Sequence, residues 1–289
     1  MKTVLLCLTL IFIAAASSYS QDRDSTGLPG DNFSLQGALE MFKKAGSPEE
    51  FEKLLNTQDN HVNNLDLNGD GDIDYVRVID KMDKDVHAFV LQVPVSETEN
   101  QDIAVVELEK TGDDNATVQI VGDEDIYGEQ TIVEPDGGGD DSEEEGEGGN
   151  GPFAPTNYMS TVAPRIVVNV WVWPSVRYVY APGYRVWVSP WRWRAYPVWW
   201  RPWRPFAWRV FHPFRARYHA GFAVVHTHRV VRAHRVYTPV RVSSVTVRTR
   251  HSASVTRYRT TRSATIKTKH GTTKVKTTRT QTRVKKGRR

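Results

Sequence analysis

Beyond Glu147 the sequence holds neither aspartate nor glutamate, although that stretch makes up almost half of its 289 residues. Residues 1–150 carry all 34 acidic side chains and 9 of the 38 Lys and Arg, a formal charge of −25; the remainder carries 29 basic side chains, a formal +29. The overall +4 describes neither part. A second half without carboxylates offers no acid, base or metal ligand of that type, which argues against one enzyme domain spread over the whole length. Cysteine is nearly absent too, Cys7 being the only one. Long apolar runs are missing except for Val4 to Ala16, whose 13 residues fall short of the roughly 20 that span a bilayer. With Lys2 ahead of it and Ser18-Tyr19-Ser20 behind, that run reads as an export signal removed over residues 1–20. The mature chain then has no cysteine, hence no disulfide, thiolate nucleophile or zinc-cysteine cluster, and no integral membrane span. The setting implied is periplasm, outer-membrane surface or extracellular space. Walker A, HExxH and GxSxG patterns are also missing, and the match Gly146-Glu147-Gly148-Gly149-Asn150-Gly151 to a dinucleotide fingerprint lacks the preceding strand and following helix. A non-enzymatic protein is the expectation.

What is present divides by composition. Residues 21–30 read as a flexible lead and residues 31–134 as an acidic α+β domain. Leu35, Ala38, Leu39 and Phe42 recur at helical spacing after Ser34, with Gly46 placed to end the helix in a left-handed conformation. Ser47-Pro48-Glu49-Glu50 is a capping box with proline at the first helical position, and Phe51, Leu54 and Leu55 supply the apolar face of a second helix. Four β-rich runs follow, Tyr75 to Asp80, Val86 to Val95, Ile103 to Glu109 and Ala116 to Val121, separated by short turns. Two helices covering one face of a four-stranded antiparallel meander are the predicted architecture.

Asp66-Leu67-Asn68-Gly69-Asp70-Gly71-Asp72-Ile73-Asp74 is the sharpest chemical signal. Oxygen side chains at loop positions 1, 3, 5 and 9, with glycine at 6, are what Ca²⁺ needs to gather six or seven oxygens. Arg77 at position 12 departs from an EF-hand, whose bidentate glutamate belongs there. The segment resembles the calcium loops of integrin-type (FG-GAP) β-propeller repeats over about fifteen residues. That resemblance implies Asp66, Asn68, Asp70 and Asp74 as side-chain ligands and Asp72 as a carbonyl ligand. The bland alternative is an ion-free polar turn.

Residues 135–157 read as an acidic glycine-rich linker, extended by self-repulsion. Residues 158–236 hold all nine Trp, between Trp171 and Trp208. Strand-like runs around Ile166 to Trp173, Val176 to Tyr180 and Arg185 to Val188 suggest a β-hairpin. The rest of that region, largely disordered by expectation, alternates indole, guanidinium and proline, and resembles Trp/Arg/Pro-rich cationic antimicrobial peptides. Arg192, Arg194, Arg201, Arg204, Trp191, Trp193 and Trp203, with Lys285 and Lys286 in the tail, are the candidate polyanion-binding residues, suited to lipopolysaccharide, acidic polysaccharide or nucleic acid. Intramolecular pairing with the acidic half is the competing use of the same charge. His226, His228 and His234 have the donor type for a transition metal, but surrounding arginine opposes it and favours solvated or interface histidines. Residues 237–289, rich in Thr, Arg and Lys, read as a disordered basic tail.

Taken together, the LNGDGDIDYV-type loop, the acidic glycine linker and the NVWVWPSVRYVYAPGYRVWVSPWRW stretch are similar to exported proteins of Bacteroidota with a Trp/Arg/Pro-rich basic C-terminal region. That group supplies no catalytic residues to carry over. Two roles follow: a Ca²⁺-stabilised module whose basic part adheres to anionic polymers, or a membrane-active effector masked by its acidic domain until the linker is cut.

Overall fold

A computed structural model describes residues 25–137 and 167–269. The expected signal over 1–20, most of the linker, and Lys285 and Lys286 lie outside the described residues. The chain is α+β, built on one antiparallel sheet of six strands in sequential order: β1 (Arg77–Asp83), β2 (Val86–Pro94), β3 (Asn100–Gly112), β4 (Asn115–Gly122), β5 (Thr131–Pro135) and β6 (Phe222–Val225). The first four match the expected runs to within a few residues; the fifth and sixth were not expected.

The helical hairpin forms as its sequence dictates. In α1 (Leu35–Lys44) the Ser34 hydroxyl accepts from the Gly37 amide at 3.0 Å, and in α2 (Pro48–Leu55) that of Ser47 accepts from the Glu50 amide at 3.1 Å. Gly46 is not the left-handed cap: α1 ends at Ala45 in an extended conformation, and the Gly46 amide donates to the Glu50 carboxylate at 2.7 Å, so the second helix's first turn holds the connection. The apolar stripes of both helices meet one face of the sheet. Phe42 packs edge-on to Phe51 at 5.2 Å and against Phe89 of β2 at 5.3 Å, over Val78, Leu91, Val106, Leu108, Val118 and Ile120.

The second half departs most from expectation. Elements between residues 167 and 262 are packed onto the acidic half rather than forming a disordered region, and the suggested hairpin is replaced by α4 (Pro174–Val179). Proline at its first position presets a helical turn, and Val176 and Val179, three apart, enter the same core as Phe42 beside Val170 and Trp173. Further on come α5 (Trp208–Ala216), α6 (Val231–Tyr237) and α7 (Val245–Lys269), after the short α3 (Glu124–Tyr127) of the acidic half. Helix α7 falls where a disordered tail was expected. Its start is fixed from outside: Ser244 caps the Val247 amide at 3.2 Å, and Glu99 accepts from the Thr246 amide at 3.1 Å. An anion at a helix N-terminus is favourable, and burial of Val247 does the rest. Where α7 passes Gly128, held at φ +80°, a β-carbon would meet Tyr258 at 2.5 Å, so glycine permits the approach. The lead segment is also fixed, because Ser25, Thr26 and Gly27 all donate to Asp31, while Leu28, Pro29 and Gly30 are buried.

Both edges of the acidic half's own sheet are completed by the basic half. On β1 the Asp80 amide donates to the Trp187 carbonyl at 2.8 Å and Ser189 donates back to Val78 at 3.1 Å. On β5, strand β6 pairs Ile132 with Val225 and Glu134 with Ala223. The second sheet face is covered as well. Ala88, Val90, Val105, Val121 and Ile132 lie beneath Tyr237 of α6, and Val86 beneath Val230 and Ala233. Every residue of β2 is buried, as a strand covered on both faces requires.

Candidate functional site

Two groups of arginines in the basic half stand out. In the first, each guanidinium is engaged by a carboxylate of the acidic half. Arg229 meets Glu134 at 3.2 Å, Arg232 meets Glu109 at 3.0 Å, Arg262 meets Glu129 at 2.6 Å, and Arg241 meets Asp123 and Asp125 at 2.8 and 2.9 Å. In the second, Arg192, Arg194, Arg201, Arg204 and Arg209 are exposed, and among the described residues none of them enters an ion pair within 4 Å. Four of these five are the sequence-derived candidates; Arg209 joins them.

The backbone that carries this second set is anchored although it has little regular structure. Proline at positions 190, 197, 202 and 205 removes donors and fixes φ, so neither helix nor interior strand can form. The acidic half supplies the missing partners. Ser189 donates to Glu52 at 3.0 Å, Arg77 donates to the Trp191 carbonyl at 3.2 Å, and the Ile73 amide donates to Trp203 at 2.8 Å. The Asn64 side chain bonds both ways to the Phe206 backbone, at 2.7 and 3.0 Å. Trp200 is buried edge-on to Tyr75 at 5.1 Å, whereas Trp191, Trp193 and Trp203 are half-buried and Trp199 is 47% exposed. Arg194 stands 5.5 Å from the ring of Trp193. Indole faces and unpaired guanidiniums therefore share one pinned segment, an arrangement that suits phosphate or sulfate groups and stacked rings.

Beside it lies the acidic loop. Asp66 gathers the amides of Gly69 at 2.6 Å, Asp70 at 3.1 Å and Gly71 at 3.0 Å, while the Asn68 side chain bonds Asp70 and Asp70 accepts from the Asp72 amide. Gly69 and Gly71, at φ +71° and +88°, permit the turns. Asp74 is buried, accepts from the Leu67 amide at 2.5 Å, and has its carboxyl pushed up to about 7 by burial and by the charges of Asp66 and Asp70. Asp66, Asp70, Asp72 and Asp74 form no ion pair within 4 Å with any described basic side chain, and Arg250 donates to the Leu67 carbonyl at 3.1 Å. The donor set is all hard oxygen, as Ca²⁺ requires. Its carboxylates nonetheless are not drawn together as closely as Glu107, His228 and His234, whose ligand atoms all lie within 4.8 Å of one another.

The residues that sequence reasoning missed are the buried polar groups of the second sheet face. Asp102, fully buried, accepts from Gln92, from the Tyr237 hydroxyl at 3.2 Å and from the Val242 amide at 2.8 Å, and burial pushes its carboxyl up to about 6. Gln119 accepts from the Arg229 and Val230 amides, and Glu109 from those of Arg232 and Ala233. On the other face Glu52 takes four donors, from Tyr75, Val78, Trp187 and Ser189, and burial raises its carboxyl. These groups bind the chain's own backbone and side chains. Among the described residues no helix is long and apolar enough to cross a membrane. No family model matches the chain, and no curated protein or solved structure matches it either, so neither its fold nor its chemistry is lent by a relative.

Proposed function

We propose that this is an exported, non-enzymatic interaction protein that holds anionic polymers (lipopolysaccharide, acidic polysaccharide or nucleic acid) on the segment from Trp191 to Arg209. The observation that carries the reading is a cluster: five exposed arginines without a carboxylate partner share one pinned segment with the indoles, whereas Arg229, Arg232, Arg241 and Arg262 are engaged within the fold and the other exposed arginines, such as Arg235 and Arg257, lie away from the run of Trp191 to Arg209. Desolvating a guanidinium next to an indole and offering it to a phosphate is favourable without any rearrangement of the fold. Replacing Arg192, Arg194, Arg201 and Arg204 together by alanine is expected to leave the melting temperature almost unchanged, because none holds a carboxylate and only Arg194 lies over a ring, that of half-buried Trp193. Binding to heparin and to a single-stranded oligonucleotide should weaken at low salt, and the slope of log K against log salt should flatten by roughly 3 units at about 0.7 per lost phosphate contact. Equal binding by the two chains would contradict the reading.

Calcium at Asp66, Asn68, Asp70, Asp72 and Asp74 is the second part of the proposal. When bound it supplies positive charge to a loop that otherwise sets acidic groups beside the arginine segment, and so reduces repulsion of an anionic ligand. Asp66, Asn68, Asp70 and Asp74 would offer side-chain oxygens and Asp72 its carbonyl. Millimolar Ca²⁺ is expected to raise the melting temperature of the native chain and leave that of Asp70→Ala unmoved, since only the native loop gains ligand-linked stability. The same increase in both chains would rule the loop out.

A further inference from the structure

The two imidazoles that sequence left among arginines converge on one buried carboxylate. His228 directs Nε2 to one oxygen of Glu107 at 2.5 Å, and His234 directs Nδ1 to the other at 2.8 Å. The rings stand 4.2 Å apart at an angle of 61°. Glu107 lies in β3 and is fully buried, while the histidine side chains are 21% and 27% exposed. The three ligand atoms lie within 4.8 Å of one another. We propose that Glu107, His228 and His234 form a site for a borderline divalent transition ion, Zn²⁺ in the first instance, that fastens the basic half to the sheet.

Donor chemistry selects the ion. Two imidazole nitrogens and one carboxylate oxygen suit Zn²⁺, Co²⁺, Ni²⁺ or Cu²⁺ and not Ca²⁺, which takes oxygen alone. A tetrahedral ion with bonds of about 2.0 Å separates its ligand atoms by about 3.3 Å. The present N to O distances of 2.5 and 2.8 Å need open by only about 0.5 to 0.8 Å for the ion to replace the two hydrogen bonds. Partial exposure of both rings leaves the fourth position to water.

The supporting shell is built. Gln119, opposite Glu107 in β4, accepts from the amides of Arg229 and Val230 and donates to the Thr227 carbonyl, which fixes the backbone on both sides of His228. Glu109 accepts from the amides of Arg232 and Ala233, which fixes the turn of α6 that carries His234. Such groups orient metal-binding side chains before the ion arrives. The objection that arginine repels a cation is answered in the same place. Arg229 is engaged by Glu134 and Arg232 by Glu109, which offsets those two charges, and Arg235, beside His234, is exposed, where salt and water screen it.

The experiment uses the untagged native chain, stripped with a chelator. Titration with Zn²⁺ followed by calorimetry should show one saturable site and a higher melting temperature. Co²⁺ in its place should give the visible absorption bands of a four-coordinate ion with nitrogen and oxygen ligands, a readout that needs no variant. His228→Gln with His234→Gln should abolish both responses, while His226→Gln, which alters an exposed histidine outside the group, should keep them. Asp70→Ala should also keep them, which separates this site from the acidic loop. Loss of binding in His226→Gln equal to that in the double variant, unchanged Zn²⁺ affinity in the double variant, or a six-coordinate Co²⁺ spectrum identical to that of the free ion would overturn the assignment.

Discussion

A chain ending at Asp136 is expected not to fold cooperatively, although it retains five of the six strands and both helices of the hairpin. Three losses coincide. The core beneath α1 gives up Val170, Trp173, Val176, Val179, Phe222 and Val247, all of them buried. At roughly 1.5–3 kcal/mol for each large buried apolar side chain, that removal rivals the 5–15 kcal/mol net stability of an ordinary domain. The second sheet face would then present Ala88, Val90, Val105, Val121 and Ile132 to water, mixed with the carboxylates of Asp102, Glu107, Glu109 and Glu134. The edges of β1 and β5 would stand open, ready to pair with other chains. Circular dichroism should show a broad, non-cooperative melt, and gel filtration should show aggregation. A sharp transition at the melting temperature of the full chain would contradict this.

The second large effect is expected from Arg241→Met. Arg241 bonds both oxygens of Asp123, whose side chain is 2% exposed, and reaches Asp125 as well. Methionine keeps the aliphatic contact and removes the charge, leaving Asp123 buried without its partner at a cost of roughly 2–4 kcal/mol near neutral pH. The sign of the pH dependence follows from Asp123. Burial raises its carboxyl above the ordinary value, and Arg241 holds that rise back. Without Arg241 the folded-state value climbs further, so the folded variant binds more protons than the unfolded chain between the two values. Its stability therefore rises on acidification through that window. Urea midpoints of the native and variant chains should differ most at pH 8 and converge toward pH 5. A gap independent of pH would assign the loss to packing instead.

How much of this was legible depends on the face of the sheet. Helices α1 and α2 and strands β1 to β4 were readable because their apolar periodicity and their capping serines act locally. The second face was not. Asp102, Glu107, Glu109 and Gln119 alternate with apolar residues in the manner of a solvated face, so the pattern gave no sign that something covers it. The covering element, α6, lies more than a hundred residues away and is rich in arginine and histidine, a composition that reads as solvated. The segment around α4 was misread because valine and tyrosine favour strands on average, while Pro174 and the core contacts of Val176 and Val179 decide for a helix. In the same way His228 and His234 were recognisable as donors, but Glu107 is separated from them by 121 and 127 positions, and no local pattern connects them. The turns of the acidic loop were visible, since the bonds of Asp66, Asn68 and Asp70 lie within nine residues, whereas its contacts to Trp203 and Arg250 were not.

The net charge of +4 thus arises from two opposite halves that complete one sheet, with the arginines of the Trp-rich segment outside the ion pairs that join them. The most direct test is a cut. A protease site placed between residues 140 and 157 and cleaved under native conditions should leave the two fragments eluting together on gel filtration at physiological salt and unfolding in one transition. Fragments that separate on cleavage would contradict the single fold and would restore the picture of a masked basic effector released by proteolysis.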